Sequence, residues 1–313
     1  MIEWRAGGTD IQDRHRRHLS IGTPVDIPSR PDLIALEWDP DGGVTMGALV
    51  RIAAIAGDDR MRTSYAGLAA AAGDLATPQI RAVATIGGGL LQRTRCWYYR
   101  AGFSCFKSGG DACPARDGDH RYGACFDIGP CVWPHPSTLG MALAAYDAHV
   151  MLQNGRTMTI AELYGDGRDP HCDHQLLDED LLTRVRLAPP VAGERSSYVR
   201  VAGRALAEWP YVEVVARAAV DSRGRVSFAR VSLGGVATVP IRVDELERAL
   251  LGRPLDRSTI EALAADSLTT FAIVPDVRYK LAMIPVAIAD ALLNSPPAPA
   301  RIDWALAPAP TVT

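Results

Sequence analysis

From Leu90 to Pro134 the sequence has neither a helical nor a strand period, yet five of the six cysteines fall inside 36 residues there. A structureless stretch this long inside a compact domain needs something to order it, and a bound metal or cluster would do so. Cys96, Cys105, Cys113, Cys125 and Cys131 are separated by 8, 7, 11 and 5 residues. None forms the C-x2-C pair of a zinc ribbon or finger. Iron–sulfur ligands carried on a long loop tolerate irregular spacing. On spacing alone an iron–sulfur site, a zinc site and unligated cysteines all stay open. A cluster held by four thiolates carries negative charge, which Arg93, Arg95, Arg100 and Lys107 would offset. Gly109 and Gly110 would let backbone amides point at sulfur. Disulfides are the poorer reading, because a chain opening without a signal peptide is expected in the reducing cytoplasm. Cys172, in PHCDH with His171 and His174, is a weaker second metal candidate in a polar, exposed-looking loop.

Two glycine-rich loops precede the cysteines, AGGTDI at Ala6 to Ile11 and ATIGGG at Ala84 to Gly89. Gly7 and Gly8 open backbone conformations closed to other residues. Thr9 and Asp10 set short polar side chains beside those amides, the makings of an anion nest. Each loop alone also reads as a tight turn. Two of them, each expected at a strand end, can hold one extended dinucleotide between them. Neither is the Rossmann fingerprint, which opens a helix, and no helical continuation is expected after either. Trp97, Tyr98 and Tyr99 would shield a cluster, lie against a flavin or simply pack the loop. No Ser/His/Asp arrangement, Walker loop or paired carboxylates stands out, and His135 reads as a structural hydrogen-bonding group before a catalytic base.

At 313 residues and 48% hydrophobic content, the chain can build two or three modest domains with a real core. A net charge of −3 gives no reason to expect a nucleic-acid or membrane surface, and no apolar run is long enough to span a bilayer. RPDLIAL and VTMGALV read as strands around the DPDGG turn. A helix is expected from an N-cap at Ser64 through YAGLAAAAGDLA, followed by a strand in TPQIRAVATIGGG. TLGMALAAYDAHV reads as a helix with its apolar face on Leu139, Leu143 and Tyr146. A hairpin follows on Asn154–Gly155, then a capping box of Thr159 and Glu162. LLTRVRL is a further strand. After a break at APPVAGER, SYVRVAG, VEVVARAAV and RVSFARVSLGGV predict an antiparallel sheet. Three helices follow, two with capping boxes at Asp244/Glu247 and Ser258/Glu261, the last kinked at Pro285. The class is α+β in two domains.

These residues resemble a family. AGGTDI and ATIGGG, with TPQIR before the second, look like the paired loops of the FAD-binding subunit of the xanthine dehydrogenase (molybdenum hydroxylase) family, where they clasp the FAD pyrophosphate. TMGALV, LLTRVRL and VSLGGVATVPIR extend the likeness over almost the whole chain. The resemblance implies a two-part PCMH-type FAD-binding domain at 1–188 with an iron–sulfur insert at about 92–134. A C-terminal domain similar to that of the CO dehydrogenase flavoprotein would span 195–294, and a Pro/Ala-rich tail 295–313. The insert, QRTRCWYYR through GPCVWPHPS, is similar to that of the subgroup carrying an extra 4Fe–4S cluster, as in 4-hydroxybenzoyl-CoA reductase and periplasmic aldehyde oxidoreductase. By that pattern Cys96, Cys105, Cys113 and Cys131 are the ligands and Cys125 is spare.

The cofactor-binding residues so implied are Ala6, Gly7, Gly8, Thr9, Asp10, Ile11, Thr85, Ile86, Gly87, Gly88, Gly89, Ser137, Leu182 and Arg200; none is implied to be catalytic. The implied role is passing electrons from a small 2Fe–2S subunit, fed by a large molybdenum-cofactor subunit, to an external acceptor. A stand-alone flavin oxidase and a cluster-bearing structural subunit that has lost FAD are the alternatives. The chain departs from the family pattern at Gly89, where Asn is usual, and at Thr138, where Asp usually follows HPS. It also begins almost on its first loop, and Arg200, Val201 and Arg204 stand where K-V-x-x-R is usual. Weaker flavin binding is expected from these changes. The expected compartment is the cytoplasm, with export alongside a signal-bearing partner left open.

Overall fold

A computed structural model describes residues 2–20, 22–203 and 208–293. The chain starts with a parallel pair, β1 (Ile2–Arg5) and β2 (Thr23–Asp26), which crosses over through the helix Ile11–Arg16. A five-stranded sheet follows, built from β3 (Leu36–Trp38), β4 (Val44–Gly47), β5 (His149–Leu152), β6 (Thr157–Thr159) and β7 (Leu182–Leu187), in the order β3-β4-β7-β5-β6. β7 pairs antiparallel with both β4 and β5. Its sequence alternates buried Val185 and Leu187 with Arg184 and Arg186, the period of a strand with one covered face. The second sheet contains β8 (Arg195–Val201), β9 (Val212–Val220), β10 (Val226–Gly234) and β11 (Ile241–Arg242), antiparallel in the order β11-β10-β9-β8. Helices Asp244–Leu250, Arg257–Ser267 and Lys280–Leu293 close the fold, the last carrying Pro285 inside it. The mixed helix-and-sheet, two-part fold is the one the sequence implied.

The helix Thr138–Ala145 joins the two halves. All eight of its residues are buried, against the helix Ala66–Asp74 on one side and β9 and β10 on another. The one-sided face expected on Leu139, Leu143 and Tyr146 is therefore too narrow. Small residues let the partners approach all round, and a Cβ on Gly140 would stand 2.4 Å from the Tyr164 hydroxyl. Its C-terminal carbonyls are capped from the second sheet, Ala144 O by Arg242 and Ala145 O by Arg217, each near 2.9 Å. Cations there complement the negative end of the helix.

Several local expectations are corrected. Pro31–Ile34 is a helical turn, since proline suits the first position of a helix, and of RPDLIAL only Leu36 is strand, as the start of β3. Ser64 ends the helix Asp59–Ser64 instead of opening the next one. TPQIRAV is a helix capped by Thr77, not a strand. Asp256, not Ser258, caps its helix, and the helix at Asp244 has no side-chain cap. Glu247 instead accepts Val231 N–H and pairs with Arg242. The Thr159/Glu162 capping box and the Asn154–Gly155 hairpin form as expected. The stretch 92–134 holds only single turns of helix, at Trp97–Arg100, Phe106–Ser108 and Pro114–Asp117. The tail at 295–313 and Arg204 lie outside the described residues. No described helix is long and apolar enough to cross a membrane.

Lys280, fully buried, pins the last long helix to the cysteine-rich stretch and to the turn after β10, donating to Gly123 O at 2.7 Å and to Gly235 O at 2.8 Å. Burial pushes its pKa down to about 8, with Cys125 acting in the opposite sense. Above pH 8 the folded chain releases this proton while the unfolded chain still holds it. The Lys280 contribution to stability therefore rises with pH up to the unfolded value. Relative to Lys280→Met, wild-type unfolding free energy should climb by up to about 3 kcal/mol between pH 8 and 10.5. Urea titrations across that window measure it, and a constant difference would refute the assignment.

Candidate functional site

β1 hands the chain directly to the first glycine loop. Gly8 has φ +73°, a conformation that side chains disfavour, and a Cβ on Gly7 would lie 2.1 Å from Val83 O. That contact packs the first loop onto the approach to the second, and Ala6 Cβ lies 4.0 Å from where a Gly88 Cβ would be. The two loops are neighbours. The amides of Gly7, Gly8 and Thr9 have no acceptor among the described residues. Those of the second loop are engaged: Gly87 N–H on Ala48 O (2.9 Å), Gly88 N–H on Thr85 Oγ1 (3.2 Å) and Gly89 N–H on Thr85 O (2.8 Å). Thr85 caps a helical turn, Ile86–Leu90, and the first loop runs into the helix Ile11–Arg16. Both loops thus continue as helix, contrary to the expectation from sequence. Gly89 is buried, with Leu139 Cδ1 3.1 Å from where its Cβ would be, so an Asn there would have to displace Leu139.

Asp10 is committed inside the protein. Its Oδ2 accepts from Arg14 Nε and from Arg93 N–H, both at 3.1 Å, and its Oδ1 from Arg100 at 2.7 Å, with Arg95 Nη2 3.1 Å away. Burial works to raise its pKa, but Arg95 and Arg100 hold the carboxyl below the usual range. Ile11 is buried in the first helical turn. Ser137 Oγ accepts Gly140 N–H at 2.9 Å, capping the central helix. Leu182 is core, and Arg200 Nη1 donates to Asp74 O at 2.8 Å.

Beyond Arg95 opens a cleft of about 560 Å³ between the cysteine-rich stretch and the second sheet, walled by Trp97, Tyr122, Trp133, Trp209 and Tyr211. His135 and Glu213 line it with Arg95. His135 Nδ1 accepts Ser137 N–H at 3.2 Å, the structural bond expected of it. Burial drives its pKa down to about 3, so the ring is neutral at ordinary pH. Glu213 Oε1 accepts the hydroxyls of Thr138 (2.8 Å) and Tyr198 (2.6 Å), and its pKa is raised by burial against the pull of those two donors. Glu213 was not among the expected residues. Its signal is a lone carboxylate in VEVVARAAV, a strand buried at every position but the last.

Cys96, Cys105, Cys113 and Cys131 line a single small cavity with Lys107, Tyr98 and Tyr99. Trp97 turns the other way, to the cleft. Cys125 is fully buried outside that cavity. Burial pushes the Cys96 thiol up to about 11 against amides from Tyr99 and Tyr98. The Cys131 thiol beside it draws Cys113 down to about 5, helped by amides of Val132, Arg116 and Ala115. Gly109 and Gly110 do not supply such amides, since theirs bond to Phe106 O and Cys105 O. Of the expected basic residues only Lys107 lines the cavity, held at 2.9 Å by buried Asp173, to which Arg93 also bonds. Arg95 and Arg100 answer Asp10 instead. Cys172 donates to Asp169 at 3.2 Å. Among the described residues no three His, Cys, Asp or Glu side chains stand together as a ready metal site, at the cysteines or at Cys172.

Asp10→Asn leaves Arg95 and Arg100 facing a neutral amide, and should cost about 3 kcal/mol at pH 7. The wild-type advantage should shrink as pH falls below the ordinary carboxyl range towards the lowered folded value, because the wild-type carboxyl then becomes neutral like the amide. Urea denaturation of both chains from pH 7 down to 3 checks this, and an equal advantage throughout would contradict it.

Residues 3–190 match the family model described as FAD binding domain in molybdopterin dehydrogenase. Residues 197–306 match the CO dehydrogenase flavoprotein C-terminal domain. The aldehyde oxidoreductase FAD-binding subunit PaoB of Escherichia coli K12 is 34% identical over 253 residues, 78% of each chain. The xanthine dehydrogenase FAD-binding subunit of Escherichia coli O157:H7 is 24% identical over 84% of this chain and 76% of its own. Among solved structures, a carbon monoxide dehydrogenase from Hydrogenophaga pseudoflava superposes with a TM-score of 0.71 at 21% identity, covering 94% of this chain and 89% of that one. Quinoline 2-oxidoreductase from Pseudomonas putida 86 gives 0.70 at 16% over the same shares. At those identities the superpositions speak for the fold. With the family models and the aldehyde oxidoreductase relative, they place this chain in the xanthine dehydrogenase (molybdenum hydroxylase) family, as an FAD-binding subunit of its oxidoreductases.

Proposed function

We propose that this chain is the FAD- and 4Fe–4S-carrying electron-transfer subunit of a multi-subunit molybdenum hydroxylase. A molybdenum-cofactor large subunit and a 2Fe–2S small subunit are the proposed partners, and the domain limits of 1–188 and 195–294 are kept with this reading. The observation that carries it is the run of unpartnered amides at Gly7, Gly8 and Thr9 beside a second glycine loop, with an aromatic cleft lined by Arg95, the partner of Asp10 in the first loop. Three adjacent N–H groups without acceptors suit a pyrophosphate, and planar walls suit a ring system. The flavin side is assigned to Ala6–Ile11 and Thr85–Gly89 for the pyrophosphate, with Ser137, Leu182 and Arg200 beyond them. Asp10 and Ile11 act there by shaping the loop, since their side chains face inward.

The cluster is assigned to Cys96, Cys105, Cys113 and Cys131, because these four thiols share one cavity. Lys107, held in place by Asp173, sets positive charge against the sulfurs. When bound, flavin and cluster supply the electron-carrying chemistry, and the protein positions and tunes them.

One observation favours a second reading, a cluster-bearing structural subunit that has lost FAD. The second loop's three glycine amides are already engaged. Absorption spectra with flavin and iron assays on the purified complex separate the two. Flavin bands over a broad iron–sulfur shoulder are expected, and a shoulder without releasable FAD would sink the flavin assignment. Cys113→Ser should cost most of the iron and leave FAD, whereas Gly7→Ala, forced against Val83 O, should cost FAD and leave iron.

A further inference from the structure

The charges around the four-cysteine cavity are unevenly placed. Arg95 and Arg100 answer Asp10, and Arg116 is paired with both carboxylate oxygens of Asp127. Among the described residues Lys107 is the one cation that lines the cavity. Its buried ammonium is fixed by two acceptors, Asp173 Oδ1 at 2.9 Å and Cys172 O at 2.7 Å. Asp173 is buried as well, and its other oxygen accepts from the Arg93 side chain and, at 3.3 Å, from Thr94 N–H. Two cations thus share one carboxylate, and the group keeps one net positive charge. Burial works to raise the Asp173 pKa, but Lys107 and Arg93 hold the carboxyl well below the usual range, so it stays ionised. Lys107, Asp173 and Cys131 also line a second small hollow together, which puts the charged group on the Cys131 side of the cavity. Cys113 and burial raise the Cys131 thiol there, and the Lys107 charge works against them.

Reducing a thiolate-held cluster adds negative charge to a site that is already negative, and the net charge around it helps to set its potential. A buried cation held in one place favours the reduced form most, because its surroundings screen it least. Asp173 acts in the opposite sense, since it anchors the ammonium and offsets part of its field. We propose that Lys107 and Asp173 set the reduction potential of the cluster as an opposed pair, the ammonium raising it and the carboxylate limiting that rise. The inference rests on the proposed cluster at the four cysteines and adds the residues that tune it. Both are tuning groups beside the ligands, as outer partners of a metal site commonly are. Asp173 lies well beyond Cys131 in the chain, so a potential set here belongs to the folded domain and not to the cysteine-rich stretch alone.

The test is a redox titration of the purified complex, followed by the electron paramagnetic resonance signal of the reduced cluster, identified as the signal that Cys113→Ser abolishes. Lys107→Met should make the cluster about tenfold harder to reduce, a midpoint lower by about 59 mV for one electron. Asp173→Asn, which keeps the shape and can still accept from Lys107, should move the midpoint upward. A midpoint unmoved in both variants, or shifted in the same direction by both, overturns the inference and leaves the cluster standing. A wild-type complex with no signal that depends on Cys113 removes the cluster reading itself, and the inference with it. Should Lys107→Met fail to take up iron, Asp173→Asn still decides: a raised midpoint supports the opposed pair, and an unmoved or lowered one refutes it.

Discussion

The Asp10 carboxylate is the point on which the two proposed sites depend. It closes the first glycine loop and at the same time receives the start of the cysteine-rich stretch through Arg93 N–H, Arg95 and Arg100. A charge this buried persists because several donors answer it. The consequence is mechanical. The loop with unpartnered amides cannot move without dragging Arg95, and Arg95 is also a wall of the cleft. Arg100 starts from the short helix whose Tyr98 and Tyr99 line the cysteine cavity, so that cavity is referenced to the same carboxylate.

The helix Thr138–Ala145 does for the two halves what Asp10 does for the two sites. Arg217 and Arg242 reach from the second sheet to its last carbonyls, and Thr138 at its first turn reaches Glu213 on β9. Each end of one buried helix is thus hydrogen-bonded across the seam at which the cleft opens. Thr138 and Glu213 are best understood together, for a hydroxyl and a buried carboxyl can satisfy one another where two carboxylates would repel.

Much of this was legible in the sequence because it is local. The alternation of LTRVRL, the Asn154–Gly155 turn and the Thr159/Glu162 box depend on neighbours only and form as expected. Errors gathered where short segments have two plausible periods. RPDLI and TPQIRAV look extended by composition, yet each opens with a proline that suits a first helical turn, and packing made them helices. The cysteines were readable as a group, while the partners of their neighbouring cations were not. Arg95 and Arg100 follow Asp10, which lies more than 80 residues earlier in the chain.

The sequence by itself determined the two glycine loops, the crowding of cysteines, the strand-rich second half and the family to which they point. Those features are patterns of residue type at short spacing, and short spacing survives without knowledge of the fold. Only the tertiary structure decided which groups are left unpartnered. It engaged the amides of Gly87 to Gly89 and left those of Gly7 to Thr9 open. It put Cys125 outside the cavity of the other four. It also brought Arg95, His135 and Glu213, from three distant segments, to one cleft. Whether a polar atom is satisfied depends on what the fold sets beside it, and these neighbours come from far along the chain.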